Sequence, residues 1–203
     1  MSQIPNPDVL RSAIASGDPS RAMPALARLR DLPAEDAIPL LLLGLEQDTF
    51  MIRSLSCAGL GIKRSEAGWQ ALVHALEHDE DANVRAEAAN ALASYGVERA
   101  WPLLLESFRR DSQWLLRCSV LSAVAEQPQI EPGWLLELAS LAIGDDDGTV
   151  RVGGAEILAR LVRDWPTGDE AQKARQRLQG LQADPDHRVV AAALDGLQQF
   201  RPC

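Results

Sequence analysis

Four arginines, Arg53, Arg85, Arg117 and Arg151, each follow an apolar residue, and three of them have an aspartate six residues upstream. Asp79 precedes Arg85, Asp111 precedes Arg117 and Asp145 precedes Arg151. Asp184 stands in the same frame before Val190, while Gln47 takes that place before Arg53. A guanidinium can hold a free anion or clamp a carboxylate bidentately. The regular pitch favours the clamp, because an Arg and an Asp once per repeat are what stacked units need at each joint. The four arginines with Asp79, Asp111, Asp145 and Asp184 therefore read as a structural ladder.

Other residue groups offer chemistry on weaker spacing. His74-Ala-Leu-Glu77-His78 fits H-x-x-E-H, and two His four apart share a helix face that could chelate zinc. The pair ends an apolar helix with no further ligand in view, so a surface pair is the expectation. Gly144-Asp-Asp-Asp-Gly148 resembles a calcium loop, but Val150 occupies the position that needs glycine. A turn with Asp147 capping the next helix is expected instead. Cys118 lies beside Arg117, which would favour a thiolate, and is the one cysteine with a case for reactivity. Cys57 falls on a buried stripe and Cys203 is terminal. No catalytic elbow, P-loop or dinucleotide fingerprint occurs.

Composition narrows the classes. Of 203 residues, 20 are basic and 29 acidic, a net charge of -9, which opposes nucleic acid and anionic membranes as partners. Aromatics are 4%, too few for base-stacking platforms. Three widely separated cysteines form no disulfide framework. No basic leader with an apolar core opens the chain, and no apolar run approaches membrane length, so a cytoplasmic protein without membrane insertion is expected.

The elements that position the ladder repeat. Anchors at 53, 85, 117, 151 and 190 are separated by 32, 32, 34 and 39 residues. Offsets -1, +3, +4 and +7 from each anchor are apolar or small, which is one helical face. Upstream of each lies another apolar helix: Ala37–Leu45, Trp69–Leu76, Ala100–Phe108, Trp134–Ala142 and Ala171–Leu181. Pro39 and Pro102 are placed near helix starts, where a missing N–H costs little. The reading is all-α: an α-solenoid, an ARM/HEAT-type superhelix of about six hairpins in a single domain over 1–203. A degenerate cap covers 1–31, with repeats at about 33–64, 65–96, 97–127, 131–164 and 168–200.

The Asp-(x5)-Arg frame with an apolar residue before the Arg resembles HEAT repeats, and the short period resembles the phycobilisome-lyase type HEAT-like subfamily, over residues 18–200. The stretches DTFMIRSLSCAGLGIKRSE and DSQWLLRCSVLSAVAEQ are similar to small cyanobacterial HEAT-repeat proteins related to phycocyanobilin lyases. The resemblance implies a non-enzymatic scaffold or accessory factor in phycobilisome assembly or turnover, without a cofactor. Two alternatives stay open: a bilin lyase-type chaperone subunit handling a bilin, and a partner in iron–sulfur cluster assembly to which Cys118 contributes. The expected partner is another protein, a phycobiliprotein subunit among the candidates. Self-association is left open.

The surface for that partner is expected opposite the buried stripe, at offsets +1, +2, +5 and +9 of the second helices. Those faces should line one continuous concave surface. Glu87, Asn90, Cys118, Ser122, Glu156 and Asp195 lie there, with Glu126, Arg160 and Gln199, and the surface should be acidic with Arg160 as its one cation. Phe50 and Trp114, three residues before their anchors, are either rim anchors for the partner or packing residues of the turn.

Overall fold

The structure, a computed structural model, describes residues 6–198. Among them twelve α-helices alternate with short turns, and there is no strand. The helices are α1 (Pro7–Ile14), α2 (Pro19–Arg28), α3 (Ala34–Leu45), α4 (Phe50–Lys63), α5 (Glu66–His78), α6 (Ala82–Ala93), α7 (Val97–Arg110), α8 (Trp114–Ala125), α9 (Pro132–Ala142), α10 (Gly148–Asp164), α11 (Asp169–Gly180) and α12 (His187–Gln198). Single 3-10 turns, Leu29–Asp31 and Leu181–Ala183, follow α2 and α11.

The helices start where short polar side chains can satisfy orphan N–H groups. Asn6, Asp18, Ser65, Asp81 and Asp147 each accept a hydrogen bond from a backbone N–H of the first turn. Each such cap is worth about 1 kcal/mol. Asp147 thus caps α10, as the turn reading of the 144–148 segment expects.

The prolines require a correction. Pro39 and Pro102 sit at the sixth residue of α3 and α7, beyond the first turn, and Pro24 does the same in α2. Each deprives the carbonyl four residues back of its N–H donor. All three prolines are exposed, so the freed carbonyls lie on the outer side, where water replaces the lost donor.

The chain divides into two compact units, Met1–Ser107 and Phe108–Cys203, with the boundary inside α7. In the first unit, α2, α4 and α6 lie side by side, and α1, α3 and α5 form the layer behind them. In the second, α8, α10 and α12 lie side by side, backed by α9 and α11. The core of each unit sits between its layers. Ile52, Ser56, Cys57 and Leu60 of α4 are buried, as are Val84, Ala88, Ala89 and Leu92 of α6. Leu116, Val120, Leu121 and Val124 of α8 are buried likewise. So are Val150, Gly154, Ala155 and Leu158 of α10. A leucine buried in this way contributes roughly 1.5–3 kcal/mol.

The stripe fails in α12. Val189 and Ala193 are buried, but Leu194 is 38% exposed and Leu197 half-buried. Among the described residues no helix follows α12 to cover that side. Gln199 lies outside the described residues.

Candidate functional site

The arginine ladder lies at the N-terminal ends of the second helices. Arg53 Nε and Nη2 donate to Asp79 Oδ2 and Oδ1 at 2.7 and 2.9 Å, and Nη1 donates to the Gln47 and Asp48 carbonyls. Arg151 makes the same contacts, to Asp184 at 2.9 and 3.0 Å and to the Asp145 and Asp146 carbonyls. Arg117 Nη2 donates to Asp145 Oδ1 at 3.1 Å and Nη1 to the Asp111 carbonyl. Its Nε lies 2.7 Å from Asp145 Oδ2, though not aligned as a hydrogen bond. Arg85 donates to the Asp79 and Glu80 carbonyls. At Arg53, Arg117 and Arg151 the arginine therefore ties its own turn to the aspartate of the next repeat.

The aspartates serve twice. Asp79, Asp111, Asp145 and Asp184 each accept the N–H two residues on, which shapes the turn for the coming helix. Burial would raise the Asp79 carboxyl, but the Arg53 guanidinium and the Asp81 N–H outweigh it and hold it below the usual range. Arg151 lowers Asp184 in the same way. These guanidinium groups are committed to the fold.

A second seam, which sequence reasoning missed, closes the opposite ends of the second helices. Lys63 Nζ donates to the Arg30 and Leu32 carbonyls at 2.8 and 2.6 Å. Ser94 donates to the Gly61 carbonyl, while Tyr95 donates to the Leu60 carbonyl and accepts from the Ser65 N–H. Arg160 donates to the Ala125 and Gln127 carbonyls. In each case one repeat caps the exhausted carbonyls of the helix before it. The donors stand nine or ten residues past their anchors, a regularity visible only if Lys, Ser, Tyr and Arg are treated as one class. Arg160 is thus not the free cation of the expected face.

Between the two seams the second helices show their remaining face, and in each unit it carries a groove. In the second unit Cys118, Ser122, Val152, Glu156, Ile157 and Arg160 line an open groove of about 510 Å³ between α8 and α10. Glu156 and Ser122 are exposed there. Asp195 is exposed on α12. Trp114 is 47% exposed and lies four residues before Cys118, on the same ridge of α8. In the first unit Leu55, Ala58 and Ile62 line an apolar pocket of about 230 Å³. Phe50, 38% exposed, heads that ridge of α4.

Glu87 and Asn90 are only half-buried positions of α6, where Ala86 is fully buried, so this part of the expected face is less open than its offsets suggest. The cause is close packing of α4 on α6, whose small residues let the helices approach. Burial pushes the Glu87 carboxyl above its ordinary value.

Cys118 needs a correction too. Burial raises its thiol, and Asp147, Asp145 and Glu156 add to the rise against the single lowering charge of Arg117. The thiolate is disfavoured. Cys57 is fully buried and pushed up to about 12, chiefly by burial. His74 and His78 are exposed and stacked, with ring centroids 4.7 Å apart. No group of three or more potential metal-ligating side chains comes together among the described residues. Trp69 is buried edge-on to Tyr95, with the Arg99 guanidinium 3.8 Å above it. It is a packing residue. No described helix is long and apolar enough to cross a membrane.

Residues 38–125 match the HEAT-repeat family. No curated protein matches the sequence. Among solved structures, the Escherichia coli protein YibA aligns over 95% of this chain and 70% of its own, with 18% identity and a TM-score of 0.66. Cex1p aligns over 94% of this chain and 41% of its own, with 15% identity and a TM-score of 0.66. The complex of CpcE and CpcF of phycocyanin lyase from Nostoc sp. PCC7120 aligns over 94% and 96%, with 20% identity and a TM-score of 0.41. For YibA and Cex1p, at these identities, the likeness is one of fold. Residues 38–125 thus carry the HEAT-repeat match, and the described residues as a whole share the fold of such repeats, an all-α array of stacked hairpins.

Proposed function

We propose that the chain is a non-enzymatic protein-binding scaffold whose second-helix faces take the partner. One observation carries the reading. The arginines and the C-terminal donors are spent inside the fold, whereas the face between them opens into the α8–α10 groove with the half-exposed Trp114 at its head. A large aromatic beside a groove is the usual anchor of a binding hot spot. Glu156 in that groove and Asp195 on α12 favour basic side chains on the partner, against Arg160 and Arg163, which share the Asp164 carboxylate.

The finer setting rests on the sequence alone. The Asp111–Arg117 segment resembles proteins of phycobilisome assembly and turnover, and that is the biological role proposed, with a phycobiliprotein subunit as partner. The raised thiol of Cys118 gives no support to a cluster-assembly role, which would need a thiolate.

The test is titration of a captured partner against Trp114→Ala, with helicity measured alongside. Loss of about 2 kcal/mol or more with intact helicity supports the proposal. Unchanged binding moves the partner to the outer helices, and lost helicity makes Trp114 a packing residue.

A further inference from the structure

The groove of the first unit has a different chemistry from that of the second. Leu26 of α2, Leu41 of α3 and Leu55, Ala58 and Ile62 of α4 form its walls, and Arg30 stands at its rim. Its volume of about 230 Å³ exceeds the roughly 150 Å³ of a dry cavity that admits a benzene ring, so one bulky apolar side chain fits and a folded element does not. Ile62 is 60% exposed at the mouth of this pocket.

The charges point one way. No Asp or Glu lines the pocket, and both charged lining residues, Arg30 and Lys63, are cations on a chain of net charge -9. Among the described residues no carboxylate pairs with the exposed Arg30 guanidinium. Lys63 holds the carbonyls of Arg30 and Leu32, which fixes the 3-10 turn carrying Arg30 to the end of α4. The backbone of the rim is therefore held, and its Arg30 side chain is exposed.

We infer that this pocket docks a partner protein segment that presents one bulky apolar side chain next to a carboxylate. The apolar group enters between Leu26, Leu55 and Ile62, and the carboxylate meets Arg30. The inference extends the scaffold reading to a second site of opposite charge preference. The two fail separately, because this pocket does not involve Trp114 and its test requires no captured partner.

The experiment titrates the full chain, with methyl groups observed by NMR, using two synthetic peptides. Each carries a leucine–phenylalanine centre, flanked in one by glutamates and in the other by lysines. Shifts are expected at the methyls of Leu55, Ala58 and Ile62, with the glutamate peptide binding at least about fivefold tighter at low salt. Arg30→Glu should abolish that preference. Ala58→Trp, which fills the pocket, should weaken binding about tenfold or more, and Ile62→Ser, at an exposed position, should weaken it about threefold without disturbing the fold. Equal affinity for both peptides, shifts confined to other residues, or no binding of either at about 2 mM would overturn the inference. Octanoate saturating the pocket more tightly than the peptide would overturn it as well, in favour of a small apolar acid.

Discussion

Removing the Asp79 carboxylate tests the ladder most sharply. The Arg53 and Asp79 side chains are 11% and 10% exposed and share two hydrogen bonds of 2.7 and 2.9 Å. Asp79→Ala leaves a nearly buried guanidinium with only the exposed Glu80 carboxylate, 4.0 Å away, as counter-charge, a change that costs about 3 kcal/mol. The lost acceptor for the Asp81 N–H adds about 1 kcal/mol. Arg53→Met, which removes the charge while keeping the stem, should cost less, because the Asp79 carboxylate is left at a turn where it still accepts from Asp81. Urea unfolding of both single variants and the double variant gives the coupling free energy. A value near 2 kcal/mol or above is expected, and one below about 0.5 kcal/mol, typical of an exposed pair, would refute the reasoning. The pH dependence has a definite sign. Asp79 and Asp184 have folded pKa values below their unfolded ones. Their contribution is therefore full above the ordinary aspartate range near pH 4 and is lost as pH falls through the depressed values. The Arg53→Met variant should lose less stability on acidification than the native chain.

Tyr95→Phe removes the hydroxyl that joins Leu60 to Ser65, and should cost about 1–2 kcal/mol in urea unfolding, with faster amide exchange at Ser65. Glu87→Gln should raise the urea midpoint at pH 7, because burial disfavours the charged carboxylate there, and the gain should vanish at a pH where Glu87 is protonated. Gly154→Ala would set a Cβ 2.8 Å from Ala142 Cβ and 3.0 Å from the Ile143 backbone nitrogen, so it should destabilise by about 1–3 kcal/mol despite alanine's better helix propensity. In a Cys203→Ser background, thiol labelling at pH 8 should modify Cys118 slowly and Cys57 only on unfolding.

The hairpins were legible because their signals agree. The anchor arginine, the aspartate six before it and the buried offsets recur together, and each depends on the same stacking geometry. Those offsets locate the buried stripes of α4, α6, α8 and α10. The C-terminal seam was hidden because a carbonyl accepts from any donor, so Lys63, Ser94, Tyr95 and Arg160 share a task and no residue type. The offset that placed Arg160 on the free face could not show that its side chain reaches back to the preceding repeat. The environment of Cys118 was misread for a related reason. Arg117 is its neighbour in sequence, but the carboxylates of Asp145, Asp147 and Glu156 reach it only through packing of α10 on α8. Leu194 shows the limit of periodicity, which marks the apolar side of a helix but not whether a neighbour exists to cover it.

The partner is proposed to sit on the second-helix faces. Amide hydrogen exchange of the chain with and without its captured partner tests this directly. Protection is expected in peptides spanning 114–125 and 148–164, which carry Trp114, Cys118, Ser122 and Glu156, while 132–142 and 169–180 stay unchanged. Protection confined to those outer helices, with 114–125 and 148–164 exchanging as in the free chain, would contradict it.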